Sequence, residues 1–221
     1  DHGGDLLARS VVLSPQLARK FLRDSSLYSM LCSQLARGGS GELSPRGTCS
    51  FLVAIKALLE QGLLDESCNL SSVLSPDDQN VFQTVAQLLE ARHLHAVRAW
   101  PVEGGGGAEG VDALVTAACM VVRITLTTQC SEDVARQSEN ALREAEALPR
   151  ILKVLRICQA EPQAMKSLVA PVDVLSRLVL LSSSFMSAFL RADGIGVLCD
   201  VGVFSSASPS RIVVNALLIA C

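Results

Sequence analysis

The stretch from Ser176 to Cys221 constrains the whole chain, because it breaks an almost wholly apolar run into pieces too short to stand alone. Ser184 is placed to cap a helix over Phe185 to Arg191, with Phe185, Ala188 and Phe189 at helical spacing. Asp193-Gly194 ends that helix, since glycine tolerates the left-handed backbone just past a helix end. A second apolar helix starts at Ile195 and is broken by Ser205 to Ser208. Ser208-Pro209 opens a third, proline sitting where a missing amide hydrogen costs nothing. None of the three can bury its apolar face alone, so each needs stacked neighbours. The chain stops inside the third, which points to a fragment of a longer protein.

Composition agrees with helix packed on helix. Of 221 residues, 49% are hydrophobic but only 4% aromatic. Small β sandwiches and barrels lean on aromatic and β-branched strands, so the balance favours an all-α chain. Twenty-two acids against 19 bases leave a net charge of −3, with no basic field for a phosphate backbone. Nucleic acid is therefore not an expected partner. Nor is a membrane: the longest apolar run, Val111 to Thr127, carries Asp112 and Arg123 and is short for a bilayer. The eight cysteines (32, 49, 68, 119, 130, 158, 199 and 221) include no pair at zinc-knuckle spacing. They read as small buried thiols in a reducing, cytoplasmic compartment. Asn69-Leu70-Ser71 fits a glycosylation triplet, and nothing else, including the start Asp1 to Asp5, gives it a secretory context.

Three segments follow: N-terminal helical repeats over 1–102, a glycine-rich flexible loop at 103–110, and C-terminal repeats over 111–221. Ser14-Pro15 opens a helix to Arg23, and Asp24 or Ser25 caps the next, to about Arg37. After a loop at 38–47 comes a helix over Phe51 to Glu60. Ser75-Pro76-Asp77-Asp78 is the clearest helix start, opening a helix through Val81, Phe82, Val85, Leu88 and Leu89 that reaches Val97. Trp100-Pro101 closes it. Val111 to Thr127 reads as the most buried helix, its tail Val121 to Thr125 alternatively as a strand. A polar helix runs from Ser131-Glu132 to Ala147, and Pro149, Pro162 and Pro171 each start another. Prolines at such short intervals suit a solenoid better than a long bundle.

The triple-helix unit ending in Val213-Val214-Asn215-Ala216-Leu217 resembles armadillo and HEAT-like repeats. The string Leu178 to Gly194 is similar to repeats in the C-terminal region of Fused-type serine/threonine kinases. The resemblance implies a right-handed α-solenoid that serves as a non-catalytic protein–protein scaffold, attached to a kinase domain lying elsewhere. It also implies Hedgehog signalling or motile cilium assembly, a kinesin-like partner, and a cytoplasmic, cilium-associated or nuclear place. No kinase motif occurs in this sequence. Aligned on Ala216-Leu217, Asn215 falls where peptide-binding armadillo repeats carry tryptophan, and Ile219 where they carry the peptide-gripping asparagine. Extended-peptide capture is therefore not expected. Apolar helix ends make self-association an expectation.

No catalytic, cofactor or metal site is expected. His93 and His95 read as surface or capping residues, because Glu90 and His93 share a helix face that His95 does not. Gly104 to Gly107 lacks the strand before and the Lys-Ser after that a phosphate loop needs. The serines at 182–184 and 205–208 read as caps and turns, with phosphorylation at a cap as a minor alternative. Arg136 and Arg143 lie on one face among Glu139, Glu144 and Glu146, a salt-bridged solvent face. The partner-binding candidates are Arg150, Lys153 and Arg156 for an acidic partner, together with Asn215. The rival readings are an all-α enzyme with an unrecognised site and a helical nucleic-acid scaffold.

Overall fold

The computed structural model describes residues 6–7, 9–10, 14–64, 81–127, 132–159 and 165–201. Eleven α-helices have their bounds among them, and no strand occurs there. They are α1 (Pro15–Arg23), α2 (Ser25–Gly39), α3 (Pro45–Leu64), α4 (Val81–Leu88), α5 (Ala91–Ala99) and α6 (Gly107–Thr127). Then follow α7 (Glu132–Glu144), α8 (Ala147–Gln159), α9 (Met165–Leu181), α10 (Ser183–Arg191) and α11 (Gly194–Asp200). The helix start at Ser75-Pro76, the Ser208-Pro209 start and Asn215 lie outside the described residues.

The described residues are all-α, and the strand alternative at Val121 to Thr125 gives way to the end of α6. The Ser14-Pro15 start forms as read: the Ser14 hydroxyl accepts the Leu17 amide at 3.4 Å, with Pro15 in the first turn. Several boundaries move. The loop at 38–47 shrinks, because α2 runs to Gly39 and α3 already begins at Pro45. The helix expected through Val97 breaks at Leu89–Glu90, where Glu90 turns extended (ψ 142°). Pro171 starts no new helix; it lies inside α9. One continuous buried face, Leu168, Val172, Leu175 and Val179, holds α9 together across it. The cap of α10 is Ser182, not Ser184: its hydroxyl accepts the Phe185 amide at 3.4 Å.

The three long helices set the packing. α6 packs against both α3 and α9, and these are the most extensive helix–helix contacts. α3 buries Leu52, Ile55, Leu58 and Leu59, and α6 buries Leu114, Val115, Ala118, Val121 and Val122. α9 adds Val172, Leu175, Leu178 and Val179. Each such Leu, Ile or Val side chain contributes about 2 kcal/mol when fully withdrawn from water. The short helices pack around the row: α1 and α2 on α3, α4 and α5 on α6, α8 and α10 on α9. α8 also touches α4 and α5 on one side and α11 on the other. The segments on either side of 103–110 therefore share one core.

Of the described cysteines, Cys32, Cys119 and Cys158 are buried, Cys49 is half-buried and Cys199 is exposed, all as free thiols. Burial pushes the thiols of Cys32, Cys49 and Cys158 up to about 11, so they stay protonated and act as packing.

Candidate functional site

The glycine run at 103–110 is a folded junction, not the flexible loop that its composition suggests. α5 ends at Trp100, whose extended backbone leads through Pro101 into a 3-10 turn, Val102–Gly104. Gly105 (φ +84°) and Gly107 (φ +79°) take the left-handed backbone that favours glycine, and α6 starts there. The other glycines answer to contact. A Cβ on Gly106 would overlap the Trp100 carbonyl oxygen, and one on Gly110 would overlap the Gly105 carbonyl oxygen. A Cβ on Gly104 would meet the indole Nε1, and one on Gly105 would fall 2.9 Å from the Arg46 amide nitrogen on α3. The run thus welds α5, α3 and α6 together by close backbone approach.

Beside it lies a small cavity of about 20 Å³, room for one water, lined by Gly38, Gly41, Thr48, His93, Val97 and Trp100 among others. His93 is only 8% exposed, and its Nε2 is enclosed without a hydrogen-bond partner. This replaces the expected surface or capping histidine. Burial is the main cause holding the His93 pKa below its ordinary value; Glu90 works against that and Arg92 adds to it. His95 is exposed on the same helix. A buried hydroxyl lining the same cavity, that of Thr48, donates to the Ser44 carbonyl at 3.0 Å.

The basic strip resolves into three different roles. Arg150 is a tie: its Nη1 donates to Glu90 Oε1 at 2.6 Å and to the Ala86 carbonyl at 3.2 Å. It joins α8 to the α4–α5 break and is 22% exposed at the side chain, so it is spent inside the fold. Lys153 is exposed. Arg156 is exposed and donates to the carbonyl of Ala192, just past the end of α10, at 3.5 Å. The cation there sits at the negative end of a helix. Asn215 lies outside the described residues. The polar face of α7 is paired as its spacing suggests, Arg136 with Asp133 and Arg143 with Glu139.

Removing the Arg150 side chain strands part of that tie. Arg150→Ala is expected to cost about 2 kcal/mol in urea unfolding, the range for a hydrogen-bonded charged group. Hydrogen bonding to Arg150 is also the main cause that holds the Glu90 carboxyl below the usual glutamate range. A depressed carboxyl stabilises the fold above its unfolded pKa and loses that contribution as pH falls through the folded value. The acid-induced loss should therefore be smaller in Arg150→Ala than in the parent chain.

One more charged centre was not read from the sequence. Asp173 on α9 is buried and meets Arg123 on α6 and Arg177 on its own helix, each at 3.3 Å. The four-residue spacing to Arg177 is visible in the sequence, but nothing local announces Arg123. Comparison with family models, curated proteins and solved structures finds no match to this chain. Among the described residues no group of His, Cys, Asp and Glu is placed to hold a metal ion. No described helix is long and apolar enough to cross a membrane. The arrangement offers ion pairs between helices and two exposed cations, Lys153 and Arg156, on α8.

Proposed function

We propose that this chain is a non-catalytic α-solenoid scaffold that docks other proteins. The observation that carries the reading is the row α3–α6–α9, in which each long helix packs on the next and is flanked by two shorter ones. Three-helix units that contact their neighbours in line are the construction principle of α-solenoids, whose product is an extended surface. The resemblance to armadillo and HEAT-like repeats, carried by the unit ending in Val213 to Leu217 outside the described residues, supports the reading from sequence alone. The similarity of Leu178 to Gly194 to Fused-type kinase repeats supports the narrower proposal of a kinase regulatory region with a kinesin-like or Hedgehog-pathway partner. In the fold that string spans the end of α9, all of α10 and the turn into α11.

The exposed cations of α8 are the docking residues on this reading. The rest of that helix is committed to the core through Ile151, Leu152, Val154, Leu155 and Cys158. Lys153 and Arg156 thus project from a rigid support and can meet an acidic surface at low ordering cost. The test is affinity capture from ciliated-cell lysate, comparing the parent chain with Lys153→Glu/Arg156→Glu. Recovery of a kinesin-like protein that falls at least tenfold in the reversed variant is the expected result. Equal recovery by both baits rejects this surface, and recovery of nothing by a folded bait rejects the docking role.

A further inference from the structure

Of the two described histidines, one is exposed and the other is sealed at a helix junction with an unpartnered nitrogen. We infer that His93 is a proton-operated latch: neutral, its ring holds α5 against the α2–α3 turn beside Trp100, and protonation parts the two.

The geometry supplies the coupling. A neutral imidazole can leave one nitrogen unpaired, but an imidazolium is a donor at both nitrogens and demands acceptors or water. In the closed junction no acceptor stands within hydrogen-bond reach of Nε2, and the space beside it holds at most one water. From α2 comes Gly38, from the turn Gly41 and Leu43, and from α3 Pro45 and Thr48, none of them titratable. The Thr48 hydroxyl donates to the Ser44 carbonyl, and its oxygen is not paired with the His93 ring in the closed junction. The charges acting on the ring come from α5 itself: Glu90 favours the imidazolium and Arg92 opposes it. Glu90 is in turn held by Arg150 at 2.6 Å and by Arg92 at 2.8 Å. The charges nearest the turn, Arg37 at the end of α2 and Glu42, pair with each other at 3.1 Å with both side chains more than half exposed. With room for one water, the closed junction cannot hydrate a cation; an opened one can.

Gly41 (φ +81°), in the turn between α2 and α3, has open space where a Cβ would stand, so nothing packs on the turn at that point. Burial lowers the proton affinity of the closed ring, so the open state binds the proton more tightly. By linkage the closed junction is then fully favoured above about pH 6.5, the ordinary histidine value, and gives way progressively below it.

Trp100 is the sole tryptophan of the chain and lines the same cavity, so its fluorescence reads the latch directly. Titrating the full chain from about pH 8 to pH 5 should shift Trp100 emission to the red, while far-ultraviolet circular dichroism stays helical. His93→Gln should abolish the shift, and His95→Gln should leave it intact. A shift that survives in His93→Gln, or no shift in a folded parent chain, overturns the latch. Should His93→Gln fail to fold, histidine-selective NMR of the parent chain decides. The His93 ring signal and the Trp100 indole signal must then move together, with a midpoint below that of His95. A His93 midpoint equal to that of His95, or a motionless indole, overturns the latch as well.

Discussion

Gly106→Ala should lower the melting temperature by roughly 10 °C or prevent folding outright. The added methyl would overlap the Trp100 carbonyl oxygen, its carbon and the Trp100 Cβ, so backbone as well as side chain must give way. Gly106 is buried, and its own amide donates to the Pro101 carbonyl at 3.1 Å, which leaves little slack in that turn. Overpacking a rigid site costs about 3 kcal/mol. In a chain of this size each kcal/mol moves the melting temperature by roughly 2–4 °C. Gly39→Ala is the control, since its Cβ would only touch Leu88 Cδ2 at an ordinary 3.8 Å. That variant should melt within about 2 °C of the parent. Thermal melts followed by circular dichroism compare the two. If Gly106→Ala melts with the parent, the close approach of this run to Trp100 does not exist in solution.

The same junction shows where local reading of the sequence stops working. Four consecutive glycines carry no side-chain pattern, so composition alone suggests a flexible spacer. What gives the run its structure is the Trp100 backbone and the Arg46 backbone of another helix, contacts that no local window contains. Where the signal is local, it is legible. Ser14-Pro15 caps and starts α1, and the apolar spacing from Val111 to Thr127 marks α6. The helix ends that went unread share a cause. α7 stops at Glu144 with no glycine behind it: Glu146 takes a left-handed backbone (φ +52°), and α8 then begins at Ala147. Such a turn is strained for a residue with a side chain and gives no sequence signature. Glu90 leaves its helix at a point where its carboxylate binds Arg150, sixty positions away. Arg150 was legible as a functional cation only in type; its place as an internal tie belongs to the tertiary fold. His93 was misread because its burial comes from the tertiary packing of its helix, which local spacing does not announce.

A coupled pair at the turn from α10 to α11 should show the other large effect. Gly194 opens α11, and a Cβ there would overlap the edge of the Phe189 ring. Phe189 is fully buried, so the ring has nowhere to retreat. Gly194→Ala should therefore cost about 3 kcal/mol, although alanine is the better helix former. Phe189→Ala alone should cost about 4 kcal/mol, by lost transfer energy and the cavity left behind. Their sum predicts about 7 kcal/mol for the double variant if the sites act independently. They do not: with the ring gone, the methyl of Ala at 194 meets space and partly fills it. The double variant should be no less stable than Phe189→Ala, an interaction energy of about 3 kcal/mol. Urea unfolding of the four chains completes the cycle. Additive losses would mean that the Phe189 ring does not stand over Gly194 in solution. A coupled result fixes the ring of Phe189 over Gly194, and with it the angle at which α11 turns back toward α8.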